Sequence, residues 1–295
     1  MSDPARKLKD FKSEKEFFIG IDSDGCVFDT METKHKECFC PQFVNHFGLQ
    51  PVSKYARDAW EFVNLYSKTR GVNRFHALTR TLDLLSERRE VKHRKAVVPQ
   101  LEGVKSWVTR ESKLGNPTLK LEVERNPHPD LKRTYAWSLE VNEVVKRIVH
   151  HIPPFPLFRE SLLKMFDKAD TIVVSQTPNE ALEREWQEHS IDQYVRIIAG
   201  QEMGTKTEHL SFTAKGKYPA HKTLMIGDAP GDFKAAKAND ALFFPINPGD
   251  EEASWELFHN EALDRFFAGT FAGEYEAGLI EEFNRHLPEK APWEK

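Results

Sequence analysis

Cysteine is scarce in this chain, and its three residues, Cys26, Cys38 and Cys40, form no CxxC pair and have no histidine set at zinc-ligand spacing around them. That argues against a disulfide scaffold and a structural zinc site, and the thiols are expected to be free in a reducing compartment. Long hydrophobic runs are missing too. No stretch approaches the roughly 18 to 20 apolar residues of a spanning helix, and the opening segment MSDPARKLKDFKSEKEFF is charged, so a cytoplasmic protein without a membrane partner is expected. Charge of one sign is also lacking: 42 basic against 46 acidic residues leave a net charge of -4, which gives no field directed at a polyanion, and no nucleic-acid partner is expected. There is no internal repeat and no low-complexity segment. What remains is an ordinary globular composition, long enough for one or two domains, as a monomer or homodimer.

The apolar run FFIGID, residues 17 to 22, stops at an acidic pair and a glycine, as a buried parallel strand does. From Glu32 to Ile152 the pattern turns helical, as in HKECFCPQFVNHF, VNRFHALTRTLDLLSER and YAWSLEVNEVVKRIVHH, until HIPPFP breaks it at an expected domain hinge. Beyond the prolines, helical and strand patterns alternate: FRESLLKMFD, TIVVS, NEALEREWQEHS, VRIIAG, TKTEHLSFTAKGK, TLMIGD, GDFKAAKAN and ALFFPI. Such alternation predicts an α/β fold, a Rossmann-like doubly wound parallel sheet with helices on both faces, into which an all-helical domain is inserted. The expected organisation is a core of 1–31 and 153–270, a helical insert over 32–152, and a C-terminal helical extension over 271–295 packed on the core.

Four expected strand ends carry polar groups, and open α/β sheets bind ligands outside the carboxyl ends of their strands. Asp22-Ser23-Asp24-Gly25 places two carboxylates two residues apart, one able to act as nucleophile and the other as proton donor, although a lone DxDG also suits a solvated turn or a metal loop. Ser175 ends TIVVS, where its hydroxyl and neighbouring amides can bind a phosphoryl oxygen or simply cap a helix. Gly227-Asp228-Ala229-Pro230-Gly231-Asp232 adds carboxylates four residues apart, which with Asp22 and Asp24 make an all-oxygen set suited to magnesium; Asp232 can at the same time be a helix N-cap. Lys206 can offset the charge gathered there. Lys215, Lys217 and Lys222 compete for that role, and order along the chain favours Lys206.

On these residues the sequence resembles the haloacid dehalogenase superfamily: DSDGCVFDT is similar to its first motif, TIVVS to its second, Lys206 to its third and GDAPGD to its fourth. The resemblance covers the sheet domain, and it implies a magnesium-dependent phosphatase acting on a small phosphorylated substrate. Asp22 would form an aspartyl-phosphate, and Asp24 would protonate the leaving oxygen and then activate water. Magnesium would be held by the Asp22 carboxylate, the Asp24 backbone carbonyl and Asp228, with Asp232 behind them or bound through water. Ser175 and Lys206 would grip the phosphoryl group, helped by Gln176 and by the amides of Gly25 and Cys26. Cys26 departs from the threonine common at its position, and its thiol suggests sensitivity to oxidants.

A dehalogenase would lack Asp24, which disfavours that activity. A phosphomutase, or a phosphonatase with a Schiff-base lysine in the insert, remains an alternative, and a binding protein that kept the fold is less favoured because the acidic set is intact. The insert sits where members with a helical C1-type cap carry that cap. Within it, the turn Lys68 to His76 presents Arg70 and Arg74 beside Gly71, as candidate contacts for a second anionic group of the substrate or as a solvated helix connection. Trp60, Phe62 and Tyr66 are expected in the core of the insert, and His150 and His151 are expected to be structural.

Overall fold

The computed structural model describes residues 3–294. Five parallel strands, β1 Phe17–Ile21, β2 Ala169–Val174, β3 Ile197–Ala199, β4 Thr223–Gly227 and β5 Leu242–Pro245, form one sheet in the order β3-β2-β1-β4-β5. β1 is central. The chain leaves it, returns as β2, and builds outward to β3 before crossing to β4 and β5 on the other side. β1 and β4 therefore meet at the point where the strand order reverses, and the crevice for a ligand opens there.

The four longer strands are buried along their whole length, which is why they read as mostly apolar rather than alternating, with Asp170, Thr171 and Thr223 as buried polar exceptions. Their side chains still alternate between two layers. Phe17, Ile19, Ile21, Val173, Leu224 and Ile226 pack against Phe158 and Leu162 of the helix Phe158–Phe166, Trp186 of Asn179–Glu188, and Trp255 and Phe266 near the C-terminus. Phe18, Ile172, Val174, Met225 and Phe243 pack against Leu210 of Lys206–Thr213, Ala235 and Ala236 of Pro230–Ala238, and Phe283 of Glu274–His286. The expected doubly wound α/β architecture is therefore present, and each large apolar side chain buried this way contributes about 1.5–3 kcal/mol. β3 is shorter than VRIIAG suggested: the Val195 amide donates to Asp192 O at 3.3 Å inside the preceding turn, and pairing with β2 starts only at the Arg196 amide, which donates to Thr171 O at 2.7 Å.

Contacts divide the chain into two compact units, one formed by the chain up to Met31 with His151–Leu287, the other by Glu32–His150 with the chain from Pro288 on. The second unit is helical and is centred on aromatic rings: Trp60 lies 4.9 Å from Phe43 and 5.9 Å from Trp137, and Phe75 lies 5.0 Å from Trp107. Phe62 is buried with them, whereas Tyr66 is half-buried and hydrogen-bonds Glu32 and Lys36. The C-terminal extension expected over 271–295 is split between the units. Phe271, Phe283 and Leu287 enter the sheet core, while Ala291 and Trp293 join Phe62, Val63, Ala77 and Leu84, with the Arg88 guanidinium 4.1 Å over the Trp293 ring. No helix among the described residues is long and apolar enough to cross a membrane.

At the start of β2, the fully buried Asp170 carboxylate accepts from the Glu14 amide at 2.7 Å, the Lys15 amide at 2.9 Å, the Tyr218 hydroxyl at 2.5 Å and Arg196. Burial alone would raise this carboxyl, but the Tyr218 hydroxyl, the two amides and the Arg196 charge outweigh it and hold the group below the ordinary carboxylate range. A depressed carboxyl contributes stability above its unfolded value of about 3.9 and loses it as pH falls through the folded value. Asp170→Asn is expected to cost about 2–3 kcal/mol at pH 7 in urea denaturation and to flatten the loss of stability below about pH 4.

Candidate active site

The Asp22 amide continues the β1 ladder by donating to Ile226 O at 3.0 Å, which fixes Asp22 beside the end of β4, two residues before Asp228. Its Oδ1 accepts from the Ser23 amide at 2.7 Å, and its Oδ2 lies 2.6 Å from Lys206 Nζ. The same ammonium lies 2.6 Å from Asp232 Oδ1. Asp22, Asp228 and Asp232 each bring an oxygen within 4.8 Å of the others, and all three are buried.

Asp232 reaches this centre because residue 227 is glycine. A Cβ there would sit 2.4 Å from Asp232 Cβ and Cγ, so any other residue would push the aspartate off the end of β4. Asp232 does not also serve as the N-cap of its helix, the second role its position allowed. The helix Pro230–Ala238 has Ala229 as its N-cap, and Asp232, one turn in, returns its Oδ2 to the Ala229 amide at 3.1 Å. Lys206 opens its own helix behind a capping box in which Thr205 and Glu208 satisfy each other's amides. The competing lysines are elsewhere: Lys215 and Lys217 donate to backbone carbonyls, and Lys222 pairs with Glu16.

Burial pushes the Asp22 carboxyl up to about 6, with Lys206 pulling it down and Asp228 pushing it further up. Asp232 is likewise raised to about 6 by burial against the pull of Lys206. Burial would lower Lys206, but Asp22, Asp232 and Asp228 outweigh it and hold the ammonium well above its ordinary range. With all groups ionised, three carboxylates against one ammonium leave two negative charges in excess within a buried cluster. An all-oxygen donor set with that excess fits a hard divalent cation such as magnesium.

The loop after Asp22 is held from below by two indoles: Trp186 Nε1 donates to Ser23 Oγ at 3.1 Å and Trp255 Nε1 to Cys26 O at 2.7 Å. Gly25 takes φ +75°, and its amide donates to Phe28 O at 2.8 Å, while the Cys26 amide donates to Ser23 O at 3.3 Å. Both amides are thus committed inside the loop rather than turned toward a phosphoryl oxygen. The Cys26 thiol is fully buried and pushed well up, first by burial and then by Asp228, Asp22 and Asp232, so the expected oxidant sensitivity is not supported by its surroundings. All three cysteines are free and buried.

Ser175 is buried at the end of β2, where its amide donates to Ala199 O at 2.9 Å and its Oγ accepts from the Thr177 amide at 3.2 Å. Gln176 is exposed, and its side-chain amide donates to Gly204 O at 3.0 Å and Ser175 O at 3.1 Å. The Asp24 carboxylate stands outside the triad of Asp22, Asp228 and Asp232: Oδ1 accepts from the Thr30 hydroxyl and Oδ2 from the Thr177 hydroxyl at 2.5 Å. Sequence reasoning singled out neither threonine. Thr30 was in view as the end of DSDGCVFDT, and Thr177 lies two residues past Ser175, but their shared partner is visible only in three dimensions.

In the helical unit, Arg70 is buried with Nη1 donating to Leu65 O at 2.9 Å. Arg74 opens the helix Arg74–Glu87, donates through Nη1 to Asn142 Oδ1 at 2.7 Å and Ser138 Oγ at 3.2 Å, and lies 4.8 Å over the Phe39 ring.

Fold and site together define an α/β protein with a doubly wound parallel sheet whose strand-end loops build a buried, lysine-compensated acidic centre. No family model matches the chain, and no curated protein matches it. Among solved structures it is similar to a Lactobacillus delbrueckii subsp. bulgaricus protein that carries a provisional phosphoglycolate phosphatase name, at 15% identity over 84% of this chain and 92% of that one, with a TM-score of 0.49. A HAD-superfamily hydrolase of subfamily IA from Geobacter sulfurreducens is 15% identical over 80% of this chain and 89% of its own, with a TM-score of 0.39. A haloacid dehalogenase-like family hydrolase from Xanthomonas campestris is 11% identical over 88% and 96%, with a TM-score of 0.44.

Proposed function

We propose that this chain is a magnesium-dependent phosphatase of the haloacid dehalogenase type, hydrolysing a small phosphomonoester through an aspartyl-phosphate on Asp22. The observation that carries this reading is the placement of Lys206 Nζ at 2.6 Å from both Asp22 and Asp232, with Asp228 in the same cluster. A nucleophilic carboxylate at the end of the central strand is thereby joined to the groups that neutralise a phosphoryl dianion.

In the first step an Asp22 oxygen attacks phosphorus, the bond from phosphorus to the ester oxygen breaks, and Asp24 gives its proton to the departing alcohol. In the second, water attacks phosphorus, Asp24 takes the water proton, and the bond to Asp22 breaks to return the carboxylate and inorganic phosphate. The Ser175 hydroxyl donates to a phosphoryl oxygen, and the Lys206 ammonium offsets the charge that spreads over those oxygens, because phosphoryl transfer is lowered chiefly by positioning and charge neutralisation. The Asp22 carboxylate, the Asp24 backbone carbonyl and Asp228 would hold magnesium, with Asp232 behind them. Its charge would supply further neutralisation of the phosphoryl group.

The test is phosphate release from a panel of phosphorylated metabolites with magnesium, with EDTA, and after magnesium is restored. Release that depends on magnesium is expected, and no release from any ester would overturn the reading. Stability gives an independent check. A carboxyl raised to about 6 contributes stability while protonated and loses it as pH rises through that value, where the ionised carboxylates repel one another. Magnesium should therefore raise the melting temperature more at pH 7.5 than at pH 5.

A further inference from the structure

Asp24 is half-buried, and its carboxylate is held between two hydroxyls that come from different parts of the chain. Thr30 lies on the segment that carries Asp24 itself, so it moves with that segment. Thr177 belongs to the loop after β2, 153 residues away, and that loop also carries Ser175. Each hydroxyl has a single proton; that of Thr177 is directed at Asp24, whereas Thr30 Oγ1, which lies nearest Asp24, also has Phe28 O at 3.5 Å.

Thr177 is itself fixed by its surroundings. Its amide donates to Ser175 Oγ at 3.2 Å, and its carbonyl accepts from the Gln201 amide at 3.1 Å. Gly200 permits this approach, since a Cβ there would sit 2.5 Å from Thr177 O and 2.5 Å from Asn179 Oδ1. Asn179 closes the arrangement, with Oδ1 accepting from the Gly200 amide at 2.7 Å and Nδ2 donating to Ile198 O at 3.2 Å. The ends of β2 and β3 thus hold the Thr177 backbone at two points, its amide and its carbonyl. Because Ser175 Oγ accepts from the Thr177 amide, its own hydroxyl proton is left for a phosphoryl oxygen.

We propose that Thr177 is a positioning residue that sets the acid–base group Asp24 in register with the phosphoryl grip at Ser175. The inference rests on the phosphatase reading above and adds a residue to it. A half-buried aspartate on a loop has two free side-chain torsions, and proton transfer in the transition state requires hydrogen-bond reach of the leaving oxygen, so fixing one carboxylate oxygen from the sheet side removes a search that would slow each proton transfer.

The consequence depends on the leaving group. Transfer of the phosphoryl group from an alkyl ester to Asp22 breaks the bond to a strongly basic oxygen, which must receive the Asp24 proton as it leaves as an alcohol. Transfer from p-nitrophenyl phosphate releases p-nitrophenolate, a stable anion that needs no proton. Displacing Asp24 should therefore slow the first chemical step for alkyl esters and spare it for the aryl ester.

Thr177→Val keeps the shape and removes the donor, and Thr177→Ser keeps the donor. Rapid-quench measurement of leaving-group release in the first turnover, with p-nitrophenyl phosphate and with an alkyl ester hydrolysed by the wild type, separates the outcomes. Thr177→Val should release p-nitrophenolate within about 3-fold of wild type, release the alcohol about 10- to 100-fold more slowly, and leave KM for the alkyl ester nearly unchanged, with Thr177→Ser restoring the alcohol release. An equal fall for both esters would make Thr177 merely structural, and no fall for either would remove its role; both results overturn the inference while leaving the phosphatase intact. A wild type that releases phosphate from no ester of the panel overturns the phosphatase reading and this inference with it.

Discussion

Asp22→Asn is expected to reduce phosphate release by at least about 10⁴-fold while the protein keeps its fold, because a carboxamide matches the shape of the carboxylate but is a far poorer nucleophile. The substitution keeps the contact at Oδ1 and loses the one at Oδ2, where the asparagine NH2 meets the Lys206 ammonium, which keeps its bond to Asp232. The asparagine carbonyl can still accept from the Ser23 amide at the position of Oδ1, and the backbone amide still donates to Ile226 O. One negative charge disappears from a buried group that holds three carboxylates against one ammonium, and with it the Asp22 repulsion that adds to burial in raising Asp232. Circular dichroism and the urea midpoint should stay near wild type, and radiolabelled phosphoenzyme trapped by acid quench should be lost. Activity retained in this variant would remove Asp22 as the nucleophile, whatever the status of the metal.

The difference between what the sequence reveals and what it hides follows the range of the interactions. FFIGI, TIVV, TLMIG and LFFP are legible as strands because a parallel sheet covered on both faces leaves few polar positions in them, here Thr171 and Thr223. Asp22, Ser175, Lys206 and Asp228 were legible because each stands just past a strand pattern, where backbone direction alone delivers side chains to one edge. Lys206 could be chosen over Lys215, Lys217 and Lys222 by its order in the chain, without knowledge of its partners. The Asp170 network was not legible, since its donors come from Glu14, Lys15, Arg196 and Tyr218 and no local pattern links them. The same holds for Thr177 and Asp24. Asp232 does not take the cap role its position also allowed, because Pro230 occupies the first helical position, which moves the cap back to Ala229. The division of the C-terminal segment turned on Trp293, whose ring finds Phe62 and Arg88 in the helical unit, a choice decided by tertiary contact rather than by helix pattern.

Lys206→Met is expected to be the second severe substitution, and its signature lies in pH dependence as much as in rate. Lys206 is the group that pulls Asp22 and Asp232 down against burial. Without it both carboxyls should rise beyond about 6, so a smaller fraction of Asp22 is ionised at pH 7 and the acidic limb of the rate profile moves to higher pH. The loss of charge neutralisation at the phosphoryl group adds to this, and the removal of one such preorganised contact typically costs about 10²–10³-fold in kcat. Stability should follow the same sign. At pH 5 Asp22 and Asp232 are largely protonated and the methionine stem fills the space of the lysine, so the cost is small. As pH rises toward 8 the carboxylates ionise without a counter-charge, and the melting temperature of the variant should fall more steeply than that of the wild type. Magnesium should recover part of that stability, since the acidic set is intact, but not the rate, since the ammonium no longer meets the phosphoryl oxygens. A rate profile that stays in place in Lys206→Met would show that the ammonium, although 2.6 Å from both carboxylates in the structure, does not govern their ionisation during turnover.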